Sequence, residues 1–195
     1  LVRIFFKELE DLIKILQSPI YHPEGDAYTH TMLSIDEATD YFTRIVMLCH
    51  DLGKAVNTTI SEDGFIRSIG HEVASVPLSL EMMKRIHLLD YKFQEQVSLL
   101  VKLHMIHTQN ISEKIVRKTL RQLLNKGLFY ENLVEVCRCD VSGRTPLLKH
   151  TPDIGQVRAK ELLEQGLMVP IVTGNLLVSL GMKPSKQMED FIKKH

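Results

Sequence analysis

Apolar residues in this chain recur at intervals of three and four, and almost nowhere do they alternate with polar ones. That spacing is the strongest constraint on its fold, because it places apolar side chains on one face of a helix rather than one face of a strand. Ile4, Phe5, Leu9, Leu12, Ile13 and Leu16 form such a stripe over residues 3–17, which Ser18-Pro19 stops. Asp26 is the expected N-cap of a second helix reaching about Ala38. A third helix is expected over 40–52, closed by Gly53 as a left-handed terminator. Residues 55–70, with Asn57, Thr58, Asp63 and two glycines, read as a loop or a small ribbon. A helix from His71 should kink or restart at Pro77. Further helices are expected over 92–107, over 113–126 with Ser112 as cap and Gly127 as stop, and over about 130–141. Beyond the Gly143 and Pro146 break, helices are expected at about 155–166, at 174–180 and to the C-terminus. The class is therefore all-α, a helical bundle over residues 1–150 with a C-terminal helical extension, 151–195, packed on it.

Composition narrows the function classes. At 195 residues the chain can bury a substantial core, and 44% hydrophobic with 25% charged residues is ordinary for a globular domain. No apolar run reaches the roughly 18 residues of a membrane span, and no secretory leader pattern is present. The chain begins with Leu1, so the natural N-terminus is expected to lie upstream. Cys49, Cys137 and Cys139 make an odd set, a poor disulfide framework that suits a reducing, cytoplasmic setting. Their plain reading is small buried hydrophobes. Net charge is zero, which argues against a generally basic nucleic-acid surface. Lys114, Arg117, Lys118, Arg121 and Lys126 offer a local patch, though their spacing equally fits the solvated face of a helix.

Against this background a few histidines and aspartates are hard to place. His50-Asp51 falls in the last turn of an apolar helix, followed by Gly53 and Lys54. Ionised aspartate is rarely buried without a partner, and a metal is one such partner. His104 continues the apolar stripe 93, 97, 100, 101, as a hydrogen-bonded core histidine or as a ligand. Asp140 likewise continues Leu133, Val136 and Cys137. His30 lies one turn into its helix, and His71 opens another directly after a glycine. One divalent metal held by His30, His50, Asp51 and Asp140 accounts for four awkward residues at once. His71 and His104 then complete a second metal position, contact a phosphate oxygen, or donate protons to a leaving group. This mixed nitrogen and oxygen set suits nickel, manganese, magnesium, cobalt or iron, as one or two ions, rather than a closed structural zinc site.

The ordered motifs resemble the HD phosphohydrolase superfamily, whose ligands follow the order H…HD…D. The similarity is greatest to the HD domain of bacterial CCA-adding enzymes, the multifunctional tRNA nucleotidyltransferases. It rests on Tyr21-His22-Pro23-Glu24-Gly25-Asp26 leading to His30-Thr31, and on Cys49-His50-Asp51-Leu52-Gly53-Lys54. Gly70-His71-Glu72, Asp140-Val141-Ser142-Gly143-Arg144 and the segment from Thr173-Gly174-Asn175 to Pro184 complete it. The chain has no glycine-serine and paired-aspartate segment of a nucleotidyltransferase head. Pro77 interrupts a helix that such proteins keep continuous, and Ser185 and Glu189 stand where glycines are expected.

The resemblance implies 2′,3′-cyclic phosphodiesterase, 2′-nucleotidase or phosphatase activity on nucleotides or RNA ends, linked to tRNA 3′-end processing. The expected catalytic group is Asp51, Lys54, Arg144 and His104. Lys54 would neutralise charge growing on phosphoryl oxygens, or simply oppose the dipole of its helix. Arg144 would clamp a phosphate in bidentate fashion. The rival expectation is a non-catalytic tRNA-binding helical module. Metal identity, the substrate within this class and the oligomeric state are not legible in the sequence.

Overall fold

A computed structural model describes residues 2–108, 112–144, 177–178 and 181–188. Over these residues the protein is helical, with one two-stranded sheet. Two single turns, α1 (Val2–Phe5) and α2 (Lys7–Glu10), precede α3 (Ala27–Glu37) and α4 (Tyr41–Cys49). After a short α5 (Lys54–Asn57) come strands β1 (Thr59–Ile60) and β2 (Ile66–Arg67), paired antiparallel with Thr59 opposite Arg67. Helices α6 (His71–Arg85) and α7 (Tyr91–Leu103) follow, then a 3-10 turn over His104–Thr108, α8 (Glu113–Asn125) and α9 (Tyr130–Ser142).

Helix α4 is the hub, packing against α3, α6, α7 and α9. Its sequence explains why: Ile45, Val46, Met47 and Cys49 are all buried, so most of its circumference is apolar and must be covered. Asp40 caps it, its carboxylate accepting from the Thr43 backbone N–H at 2.9 Å and the Thr43 hydroxyl at 2.6 Å. Asp26 caps α3 as expected, accepting from Thr29 N–H at 2.8 Å. Core residues from α7 (Val97, Leu100, Val101), α8 (Val116, Leu120, Leu123) and α9 (Leu133, Val136, Cys137) close the bundle.

Several expectations change. The stripe over 3–17 is not one helix. Only Leu9 and Leu12 of it are buried, while Ile4, Phe5, Ile13 and Leu16 are exposed. The backbone turns at Lys14 with φ +69°, and Ala27 N–H donates to the Ile15 carbonyl at 3.0 Å. Long-range pairing with the start of α3 thus overrides local helical periodicity. Gly53 is not a left-handed terminator, since its φ is −67°. Pro77 neither restarts nor ends α6, which runs through it. One missing N–H is a local loss, and α6 is held along its length by α4, α5 and α7. The 55–70 segment contains both a helical turn and the ribbon.

Lys114, Lys118 and Arg121 lie exposed opposite the buried Val116, Leu120 and Leu123, the solvated face of α8, and Lys126 pairs with Glu95 at 2.5 Å. All three cysteines are buried. Burial pushes the Cys49 and Cys139 thiols up to about 12, which leaves them unreactive. No helix among the described residues is long and apolar enough to cross a membrane. The expected helices at 155–166, 174–180 and the C-terminus, and the Thr173 motif, lie outside the described residues except at 177–178 and 181–188.

Candidate metal centre

Four histidines and two aspartates from five places in the chain meet at the C-terminal end of α4. His30, His50 and His104 have no exposed surface, and Asp51, His71 and Asp140 are nearly as buried. They form two sets. One atom each from His30, His50 and Asp140 lies within 4.8 Å of the others, and the same holds for Asp51, His71 and His104. Asp51 faces both sets: Oδ2 lies 3.3 Å from His50 Nε2 and 3.8 Å from His30 Nε2, while Oδ1 lies 3.1 Å from His71 Nε2 and 3.8 Å from His104 Nε2.

The ring orientations are fixed from behind. His50 Nδ1–H donates to the Met47 carbonyl at 2.6 Å, His71 Nδ1–H to Ser68 at 2.7 Å, and His104 Nδ1–H to Val101 at 2.6 Å. A carbonyl only accepts, so in each neutral ring the proton sits on Nδ1 and Nε2 presents its lone pair to the centre. His30 Nδ1 faces the Glu24 carboxylate at 2.8 Å, a close contact rather than a well-aligned hydrogen bond. Backing partners of this kind orient metal-binding histidines.

The result is a crowd of acceptors. His71 Nε2 and His104 Nε2 face each other at 3.2 Å, beside Asp51 Oδ1. Among the described residues His50 Nε2 and both Asp51 oxygens are buried without a well-formed hydrogen bond, although Lys54 lies against Asp51 Oδ2. Lone pairs converging this closely require a cation between them, either protons or a metal. The donor set of imidazole nitrogen and carboxylate oxygen fits a divalent ion of the kind expected from the sequence.

Electrostatics agree with that reading. Burial works against ionised Asp51, yet His50 and Lys54 hold its carboxyl well below the usual range. Burial likewise opposes ionised Asp140, and Arg144 and His30 outweigh it. For His30, burial disfavours the cation, but Asp140 and Glu24 raise the pKa. For His71, burial is again outweighed, here by Asp51. His104 is the exception: burial, then His50, push it down to about 3. Burial opposes ionised Glu24 too, yet its close contacts with His22 and His30 hold it down to about 2.

Two close helix contacts bring the ligands together. A Cβ on Gly53 would stand 2.2 Å from the His71 carbonyl oxygen and 2.7 Å from Ser75 N, so glycine lets the Asp51 elbow lie directly on α6. The Ser75 hydroxyl ties that elbow, accepting from Gly53 N–H at 2.8 Å and donating to the His50 carbonyl at 2.8 Å. A Cβ on Gly143 would stand 2.1 Å from Ser34 Oγ and 2.9 Å from Ser34 N, so α9 presses onto α3 one turn from Asp140 and His30.

The centre opens into a cleft of about 550 Å3 lined by Gln17, Asp51, Lys54, His71, Asp140 and Arg144, among others. Lys54 Nζ lies 2.6 Å from Asp51 Oδ2, so it is an inner cation of the site rather than a helix-end charge alone. Arg144 reaches back to Asp140, with an N–O distance of 3.3 Å. The structure thus brings together every residue singled out from sequence, and adds Glu24, Gln17, His22 and Ser75. Of these, His22 and Glu24 stand in the motif that carried the resemblance. Gln17 and Ser75 have no local signal, because their roles depend on partners 37 and 25 residues away.

Comparison with known proteins finds relatives among the multifunctional CCA proteins. A multifunctional CCA protein of Shewanella denitrificans is 30% identical over 159 residues, covering 76% of this chain and 37% of the relative. One from Haemophilus influenzae is 28% identical over 158 residues, 73% of this chain and 36% of the relative. One from Halorhodospira halophila is 36% identical over 83 residues, 40% of this chain and 19% of the relative. This chain is homologous to part of the multifunctional CCA proteins. It spans little more than a third of the length of the first two of these relatives. No family model matches, and no solved structure matches.

Proposed function

We propose that this protein is a metal-dependent phosphohydrolase of the HD type, acting on phosphate esters of nucleotides or RNA ends. The observation that carries the reading is the convergence of four backed imidazoles and two carboxylates, their acceptor atoms turned on one another, at the floor of a cleft that also holds Lys54 and Arg144. Residues 1–150 would carry the activity and 151–195 form a helical tail. His30, His50 and Asp140 would hold one ion, and Asp51, His71 and His104 a second, with Asp51 shared. Bound there, a divalent ion supplies Lewis acidity and lowers the pKa of water to near neutrality.

The chain's own residues do the rest. Asp51 and Asp140 stay ionised at neutral pH and so hold positive charge at the cleft floor. Lys54, already against Asp51, offsets charge that develops on phosphoryl oxygens. Arg144 turns from Asp140 toward a phosphate, for which a planar guanidinium is suited. Exposed Tyr21 and Ile69 border the cleft and offer a surface on which a base stacks, which favours a nucleotide over a bare phosphate ester. Homology to multifunctional CCA proteins supports tRNA 3′ ends as the source of that substrate. The rival, a non-catalytic tRNA-binding module, gains support from the same homology.

The deciding experiment is hydrolysis of a 2′,3′-cyclic nucleotide by metal-stripped protein with single divalent metals restored, beside Asp51→Ala. Turnover that depends on the metal and vanishes in the variant is expected. A folded protein silent with every metal, yet binding tRNA with steep salt dependence, would favour the binding module.

A further inference from the structure

Gln17 is a buried polar residue, 7% exposed, on the wall of the cleft. Its Oε1 accepts from Lys54 Nζ at 2.5 Å, and Lys54 in turn lies 2.6 Å from Asp51 Oδ2. An ammonium only donates, so the amide oxygen must face Lys54, and that fixes the NH2 group on the other side. There the NH2 is buried with no hydrogen-bond partner among the described residues. Arg144, lining the same cleft, has its Nε buried without a hydrogen-bond partner among the described residues too. Buried donors are nearly always satisfied, so two such donors lining one cleft, one of them on a residue that contacts Lys54, are suited to the acceptor oxygens of a bound anion.

We infer that Gln17 is a substrate-recognition residue whose amide NH2 donates to a phosphate oxygen of the bound ester, opposite the Arg144 guanidinium. The inference rests on the phosphohydrolase reading and adds to it the side chain that selects an anion with acceptor-only oxygens. Phosphate meets that demand, since its oxygens accept from the amide, the guanidinium and the lysine together.

Two variants separate recognition from support of Lys54. Gln17→Glu keeps an acceptor for Lys54 but replaces the NH2 donor with a second oxygen, which repels phosphate. Gln17→Met removes both functions at similar size. The readouts are calorimetric binding of inorganic phosphate to the metal-loaded protein, KM and kcat on a 2′,3′-cyclic nucleotide, metal content, and circular dichroism for folding. Gln17→Glu should retain metal and fold, weaken phosphate binding about tenfold or more, and raise KM more than it lowers kcat. Gln17→Met should lose phosphate affinity as well and lower kcat through Lys54. Gln17→Glu matching wild type while Gln17→Met is impaired would reduce Gln17 to a prop for Lys54 and overturn the inference. Should Gln17→Glu fail to fold, Gln17→Met alone decides by its phosphate affinity, unchanged binding overturning the inference. Wild-type protein that hydrolyses the ester while both variants bind phosphate normally removes this inference alone. Wild-type protein that neither binds phosphate nor hydrolyses the ester removes the underlying reading with it.

Discussion

The two ligand sets use the same residue types and are held in different ways. His30 and His50 stand on α3 and α4, whose first turns are closed by the Asp26 and Asp40 side chains. Asp140 reaches them from α9 and lines the cleft, while His30 and His50 have no exposed surface. In the other set, His71 opens α6 directly after Gly70, which has φ +77° and offers no side-chain cap. His71 takes its orientation from the Ser68 carbonyl, next to the ribbon, and lies on the cleft wall. Helix packing builds the first set, while the second combines His104 at the end of α7 with the turn that carries Asp51 and the loop before His71. Under the proposed function, His30 and His50 of the first set would retain an ion, and His71 of the second would face the substrate.

Each set also depends on one glycine contact, and substituting these glycines tests the comparison most severely. In Gly53→Ala the new methyl meets backbone atoms of His71 and Ser75, which cannot rotate away. The elbow must lift from α6, at a cost of about 3 kcal/mol. In Gly143→Ala the nearest atom is the Ser34 hydroxyl, which can swing, leaving a tighter approach to Ser34 N. A smaller loss, about 1.5 kcal/mol, is expected there. Denaturant titration orders the two, and metal titration should show Gly53→Ala weakening ions at Asp51 and His71 more than at His30. Equal losses in both variants would mean that the sets are not separately supported.

What was legible in the sequence follows the same division. His104 and Asp140 were visible because each continues an apolar stripe, and a polar group on a core face stands out. The His50-Asp51 pair was visible for the same reason. Gly53 was seen as important but for the wrong cause, since a close approach to α6 leaves no local trace. Neither Gln17 nor Ser75 was visible, because each acts on a partner in another element. The N-terminal stripe misled: its spacing was helical, but only Leu9 and Leu12 found core to cover them.

Titration offers a gentler probe, because His30 of the first set and His104 of the second are shifted in opposite directions. In metal-free protein His30 is raised, burial being outweighed by Asp140 and Glu24. Its contribution to stability is full below the unfolded value of about 6.5 and is lost as pH rises through the folded pKa. His104 is pushed down to about 3, by burial first and His50 next. Its contribution is full above about 6.5 and is lost as pH falls toward the folded value. Chelated wild type should therefore lose stability on both sides of neutrality. His30→Gln should flatten the alkaline side and His104→Gln the acid side, as read by denaturant titration at a series of pH values. Two variants with the same profile would mean that the histidines titrate as one coupled cluster.

The smallest expected effect concerns the caps. Asp40→Ala removes both bonds to Thr43 and should cost about 1 kcal/mol of stability. Ser112, at the start of α8, makes no side-chain capping bond, so Ser112→Ala should cost well under half of that. The more telling readout is metal affinity. If α4 is held by its packing against α3, α6, α7 and α9, loss of the cap frays Tyr41 and Phe42 while His50, two turns away, stays in place. Metal binding should then remain within about twofold of wild type, well short of the tenfold that marks a lost backing contact. A tenfold loss in Asp40→Ala would show instead that the first set draws its rigidity from its caps, and that the contrast with the uncapped α6 is sharper than packing alone suggests.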